Sequence, residues 1–491
     1  MKLISLFGKR IGFVLLAAAT MGAAPDANNV APRLIGLALG EGRAYQLAES
    51  LTDGVGPRPT GSAGAERAVQ WAVEQMKALG LKNVHTEPVK TQRWIRGEAE
   101  AQLIAPARQQ LHLVALGPSV GTPADGITAD VVEAASFDEL KALGDGARGK
   151  IVVFTPRAMQ RGRSFEEYGR VVAYRGAGAI AAGKAGAVAV LVRSAGTGAY
   201  RLPHTGAVRY DDAVPKIPAA ALSNEDADLL HRLLRKGQKV RLHLKLTAHS
   251  EPDVDSANVV GEVPGRERPQ ELVLLGAHLD SWDLGTGAVD DGAGCAIVMD
   301  AARIAGAVGR APRRTIRVVL FMNEEMGLSG ATAYAARHAA ELGKHVAALE
   351  VDSGEGRPSG FGAIGGPAAV ALLHKLAAPL AALGVSNIVD SDEAGADLRP
   401  MSGKVPQFSI EQDLTSYFDW HHTAADTFDK LDPMDLAINS AAVAVVAYGL
   451  ADATETLPVG PPSKRLMPSA PAVAAPPTPG APAPSAPASA K

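Results

Sequence analysis

From about residue 255 onward the chain alternates uninterrupted apolar runs with helical segments, and that alternation restricts the fold more than any other feature. Leu272-Val273-Leu274-Leu275 leads through a loop to a helical stretch from Gly292 to Ile304. Arg317-Val318-Val319-Leu320-Phe321 is followed by a helix near Ser329 to His338, and Val346-Ala347-Ala348-Leu349 by one around Ala368 to Leu383. Strands without polar alternation have both faces covered, so the pattern predicts an α/β fold with a mostly parallel sheet between two helical layers. In such sheets ligands bind beyond the carboxyl ends of the strands.

The chain has 491 residues, well past the roughly 250–300 at which one hydrophobic core stops growing, so more than one folded unit is expected. Hydrophobic residues at 47% and charged residues at 21% exclude wholesale disorder. A net charge of −3 with no long run of one sign gives a polyanion nothing to bind, so nucleic acid is not an expected partner. Cys295 is the one cysteine, and no disulfide within the chain can form. Lys2, Lys9 and Arg10 precede an apolar stretch from Ile11 to Ala24. It is shorter than the roughly 20 residues a bilayer span needs, so residues 1–24 read as a signal peptide cleaved near Ala19 to Ala24. The mature protein is then expected to be secreted or periplasmic, with no membrane span. Residues 457–491, rich in Pro, Ala and Ser, read as a disordered tail.

Between these ends, residues 34–123 carry helical patterns, including Ala65 to Leu79, and the Pro/Gly-rich loop Gly54 to Ser62. Residues 124–245 change texture: short strands such as Lys150 to Phe154 and Ala187 to Val192 lie between Gly-rich turns, with one helix at Asn224 to Leu234. This stretch reads as an inserted β-rich domain that divides the main domain into 34–123 and 246–456. It shows no His, Asp and Glu cluster at ligand spacing, so a shaping or docking role is expected of it.

The inferred strands of the main domain exit into acceptors. His278 and Asp280 follow the first, with Asp290-Asp291-Gly292 after a Gly-rich loop; Asn323-Glu324-Glu325 follows the second; Asp352 follows the third; and a late loop carries Asp419-Trp420-His421-His422-Thr423. Taken singly, each has a dull explanation: a hydrogen-bonded histidine, an N-cap aspartate, a solvated helix start. Together they place imidazoles and carboxylates on one sheet edge. That mixture suits a zinc-like divalent ion, and five such groups exceed one tetrahedral centre, so two ions are the economical reading.

The segments Ala277-His278-Leu279-Asp280, Val289 to Gly294, Asn323 to Ala331, Glu350 to Gly354 and His421 to Thr427 resemble, in order, the motifs of the M28 family of co-catalytic zinc exopeptidases. Within it the chain is most similar to the plasma glutamate carboxypeptidase branch, over roughly residues 40 to 455. The resemblance implies a three-layer αβα catalytic domain and a protease-associated domain as the inserted piece. It implies two zinc ions per chain, one held by His278 and Asp352, the other by Glu325 and His422, with Asp290 bridging, often through a cis Asp290-Asp291 bond. Asp280 would orient His278, and Glu324 would be the general base toward a water whose pKa two cations pull toward neutrality. Several family members have Tyr before the last His ligand as an oxyanion donor; here the position is His421, which either donates in its place or is structural. Asp397 stands where the family carries an Asp near the substrate pocket, either as a turn residue or in support of a ligand or a substrate amine. The substrate is expected to be a dipeptide or short peptide. Aminopeptidase action on longer chains and removal of an N-acyl group stay open on the same site; a receptor-like protein without catalysis and a single-zinc cyclase fit less well. The branch implies a homodimer.

Overall fold

A computed structural model describes residues 30–162 and 165–464. The expected signal peptide lies outside the described residues, as does the expected tail beyond residue 464. The alternating run from residue 255 builds the centre of an eight-stranded sheet. In spatial order its strands are Lys82–Ile95, His249–Val263, Arg314–Phe321, Arg268–His278, His345–Glu350, Gln407–Gln412, Pro358–Ala363 and Asn387–Asp390. The four strands from Arg314–Phe321 to Gln407–Gln412 are parallel, as a sheet covered on both faces requires.

Alternate residues of these strands feed two cores, which makes the domain three layers deep. Val273, Leu275, Val318 and Leu349 face the helices Ala31–Glu41, Ala44–Thr52, Ala293–Ala307 and Pro433–Asp452. Leu274, Val319 and Phe321 face the helix Ser329–Arg337 and the loop around Leu398 and Met401. Each buried Leu, Val or Phe is worth about 1.5–3 kcal/mol relative to exposure, so burial on both faces makes the sheet centre a large contributor to stability. The helix Pro433–Asp452 is long and apolar enough to cross a bilayer, but 78% of that stretch is buried inside the protein, and it is a core helix.

The strands Lys82–Ile95 and His249–Val263 pair antiparallel at the edge and carry many exposed polar residues, so no apolar run announces them. A second eight-stranded sheet, built from residues 99–246, forms the β-rich unit between them. It draws in Ala99–Ala105, Gln109–Leu111 and Leu113–Ala115, ahead of the expected start at 124. The sequence pattern predicts one helix in this unit, whereas its described residues form three: Phe137–Leu143, Phe165–Lys184 and Asn224–Arg235. Phe165–Lys184 escaped notice because Gly169, Gly176, Gly178 and Gly183 interrupt its pattern. Gly178 is there for packing: a Cβ would lie 3.2 Å from the Phe154 ring.

Candidate metal centre

The carboxyl ends of the parallel strands meet as the topology demands. His278 ends Arg268–His278, Glu324 and Glu325 follow Arg314–Phe321, and Asp352 follows His345–Glu350. Asp290 enters on the irregular turn Ala288–Gly292 that starts the next helix, and its peptide bond to Asp291 is cis. His422 comes from the late loop. Ligand atoms of His278, Asp290 and Asp352 lie within 4.8 Å of one another, as do those of Asp290, Glu325 and His422. Asp290 belongs to both groups. His278 Nε2 is 2.9 Å from Asp290 Oδ1 and 3.4 Å from Asp352 Oδ1. His422 Nε2 is 3.0 Å from Glu325 Oε2 and 3.1 Å from Asp290 Oδ2.

Each imidazole is held from behind. His278 Nδ1 lies 3.0 Å from the backbone carbonyl of Asp280, and an Nδ1–H donated there leaves Nε2 bare toward the centre. The Asp280 carboxylate itself is 3.9 Å from Nδ1 and has other duties. It accepts from Thr60 Oγ1 at 2.9 Å and from the backbone N–H groups of Asn323 at 2.7 Å and Glu324 at 3.1 Å, fixing the turn that carries both glutamates. Asp291 accepts from the N–H of His278 and of Gly294, both at 3.0 Å, tying strand end to helix start. Gly294 permits this: a Cβ there would lie 2.2 Å from Asp291 Oδ1. His422 and Asn323 adopt left-handed φ of +59° and +69°; Asn enters this region readily, whereas His422 holds it because the surrounding contacts fix its loop.

The donor set fits divalent cations. Glu325 Oε1 and Asp290 Oδ2 are buried and make no hydrogen bond among the described residues, although two imidazoles approach the latter. Buried carboxylate oxygens without donors are costly unless a cation sits among them. Burial, and then repulsion from Asp352, Glu325 and Asp290, pushes the Glu324 carboxyl well above its ordinary range against the pull of His278. Glu324 and Asp352 are the partly exposed members, so the open side of the cluster lies at these two. Trp282, Gly285, Thr423 and Asp426 line a cavity reaching Asp290, Glu325 and His422.

Three supports have no role that the sequence pattern assigns. Arg58 is fully buried in the Pro/Gly-rich loop and donates to the carbonyls of Leu279 at 2.6 Å, Thr286 at 2.7 Å and Gly287 at 2.8 Å, pinning the loop ahead of Asp290. Asp426 accepts from the N–H of Val289 at 2.6 Å and of Asp290 at 3.2 Å. Burial and repulsion from Asp290 raise its carboxyl to about 7. His204, from the β-rich unit, reaches His421 and is treated below. Asp397 is fully buried, with neither carboxylate oxygen hydrogen-bonded among the described residues, and its N–H donates to Glu350 Oε2 at 2.9 Å. Arg58→Met should strand three carbonyls at about 1–3 kcal/mol each, and so lower unfolding free energy by about 3 kcal/mol or more. A urea midpoint shift at unchanged slope measures it; an unshifted midpoint would show that the loop is held without Arg58.

A mixed sheet with a parallel centre, a β-rich unit set into it and a histidine–carboxylate cluster at the ends of the parallel strands define a metallopeptidase. The chain belongs to peptidase family M28. The family's profile matches residues 258–447, and a PA domain matches residues 110–230. Carboxypeptidase Q of Mus musculus is 39% identical over 434 residues, covering 88% of this chain and 91% of the mouse protein. The Homo sapiens carboxypeptidase Q is 38% identical over 434 residues, with 88% and 90% covered. The crystal structure of a peptidase M28 precursor from Shewanella amazonensis SB2B superposes with a TM-score of 0.85 at 40% identity, covering 88% of this chain and 98% of that one. An aminopeptidase from Aneurinibacillus sp. strain AM-1 shares the fold, with a TM-score of 0.62 at 22% identity over 88% and 98% of the two chains.

Proposed function

We propose that this M28 metallopeptidase is an exported di-zinc exopeptidase that hydrolyses dipeptides or short peptides. The observation that carries the reading is the pair of ligand groups joined at Asp290. His278 and Asp352 would hold one zinc, Glu325 and His422 the other, and Asp290 both. Bound there, the two ions would supply Lewis acidity to a water and to the scissile carbonyl. Glu324, one residue from a ligand yet partly open to solvent, takes the proton of the attacking water and delivers it to the departing amine. Its position is set by the backbone N–H that donates to Asp280 Oδ1. His421, with Nε2 3.3 Å from Asp290 Oδ2, faces the same centre and donates to the oxygen of the carbonyl under attack. Export rests on the composition of residues 1–24, and a homodimer on the likeness to the carboxypeptidase Q branch.

One preparation tests the reading. The full chain is expressed with its leader, and intact mass and light scattering read leader removal and assembly. Metal content is expected at two zinc per chain, and activity on free dipeptides is expected to vanish with chelator and return with zinc. Blocked dipeptides then settle direction. Loss on either N-acylation or C-amidation marks a dipeptidase, loss on N-acylation alone an aminopeptidase, and activity only on N-acyl substrates an amidohydrolase. Full zinc with no hydrolysis of any member would sink the enzymatic mechanism.

A further inference from the structure

The β-rich unit contributes to the centre directly. The loop between its strands Ala189–Arg193 and Ala219–Leu222 brings in His204, which is buried and fixed by its own N–H donating to Ser194 Oγ at 2.8 Å. His204 Nε2 lies 3.0 Å from His421 Nδ1. His204 Nδ1 is buried and has no hydrogen-bond partner among the described residues. The next residue, Thr205, presents its carbonyl to His422 Nδ1 at 3.2 Å, and its N–H donates to the His422 carbonyl at 2.9 Å. Arg175, from the helix Phe165–Lys184, donates to the same Thr205 carbonyl at 3.1 Å, and Gly206 leaves it room: a Cβ would lie 2.1 Å from the guanidinium. Arg175 Nη1 also comes within 3.4 Å of His422 Nδ1, but both atoms are donors once His422 keeps Nε2 bare, so the shared carbonyl is the partner of each.

Two neutral imidazoles joined by one hydrogen bond admit two proton arrangements. If His421 donated, its Nε2 would be a bare lone pair facing Asp290 Oδ2 at 3.3 Å, and His204 would carry a buried N–H on Nδ1 with no acceptor among the described residues. If His204 donates, its bare Nδ1 is the one unsatisfied atom, and His421 carries its proton on Nε2, toward the centre. An orphaned buried N–H is rarer than an under-satisfied acceptor, so the second arrangement prevails. The ring has little freedom to leave it: His421 stacks on His422 at 3.7 Å, meets the Tyr168 ring edge-on at 5.3 Å and lies 4.8 Å from Tyr417. A tyrosine hydroxyl carries its own proton wherever it turns; an imidazole donor needs a partner to choose which nitrogen is protonated.

We propose that His204 is a positioning residue for the hydrolysis: its Nε2–H, donated to His421 Nδ1, holds the His421 proton on Nε2, where it meets the carbonyl oxygen of a bound peptide. The role rests on the reading of His421 as a donor given above. The β-rich unit thereby completes the catalytic centre.

His204→Ala and His204→Gln, alone and in combination with His421→Ala, test it in the zinc-loaded full-length protein. Removing an oxyanion donor outright costs about 10²–10³ in kcat, so loosening it through His204→Ala should cost about 10- to 100-fold, with KM within about twofold. Gln, whose amide nitrogen stands near the lost Nε2, should restore most of that rate. Adding His204→Ala to His421→Ala should cost nothing more. Zinc content should stay at the wild-type value in each His204 variant. Multiplicative losses in the double variant, an unchanged kcat in His204→Ala, or loss of a metal equivalent in that variant would each overturn the proposal. The tautomer is read without turnover by ¹⁵N-histidine NMR, with His421 assigned by its variant. A proton on His421 Nε2 that moves or exchanges in His204→Ala supports positioning even if the peptide reading fails; a proton on Nδ1 overturns it.

Discussion

Asp290→Ala should abolish both metal sites at once: less than about 0.2 zinc per chain after dialysis and no detectable hydrolysis, at the level expected when first ligands are removed. The reason is positional. Asp290 sends Oδ1 toward His278 and Oδ2 toward His422, so one carboxylate closes both ligand groups. Glu325→Ala and Asp352→Ala each open only one group, and each should retain about one equivalent of zinc by the same ligand arithmetic. Elemental analysis of the three variants beside wild type decides the matter. If Asp290→Ala kept one tight zinc, or Glu325→Ala lost both, the shared-carboxylate arrangement would be wrong.

Glu324→Gln should behave in the opposite way, keeping its metal and losing its rate. The side chain belongs to neither ligand group, and its backbone is held by Asp280, so the amide replaces the carboxyl without disturbing the turn. What is lost is the ability to accept and return a proton, a contribution of about 10²–10⁴ in rate. Zinc content and the affinity for a product amino acid should match wild type, while kcat falls by that factor and KM moves little, the pattern of an interaction made only on the way to the transition state. Near-normal turnover would assign the proton transfer elsewhere.

That the residues proposed as ligands would gather was legible because of what parallel strands do: each apolar run ends at the same edge, so the polar residues that follow Leu272 to Leu275, Arg317 to Phe321 and Val346 to Leu349 had to be neighbours. Residues that work through the backbone of remote segments left no such trace. Arg58 holds three carbonyls more than 220 positions away in the chain, and no spacing pattern records a bond to a carbonyl. Asp280 shows a subtler gap. Its place two residues after His278 suggested an orienting role, but the atom nearest the imidazole is its carbonyl oxygen, while its carboxylate steadies Asn323 and Glu324. His204 was hidden for a different reason: it stands alone in a stretch without other ligand-type residues at short range, and its partner is 217 positions further on. The edge pair Lys82–Ile95 and His249–Val263 was missed because one side of it faces solvent, and its polar residues dilute the apolar signal.

The loop from Tyr417 to His422 is gripped from outside its own domain: Thr197 donates to the Phe418 carbonyl and to Asp419, and Thr205 binds both the backbone and the ring of His422. A clamshell motion that swung the two units apart would therefore pull the imidazoles off Asp290 and Glu325, dismantling the machinery in the act of opening it. Peptide would then have to reach the cluster with the two units held together, past the partly exposed Glu324 and Asp352 or through the cavity that Trp282, Gly285, Thr423 and Asp426 line.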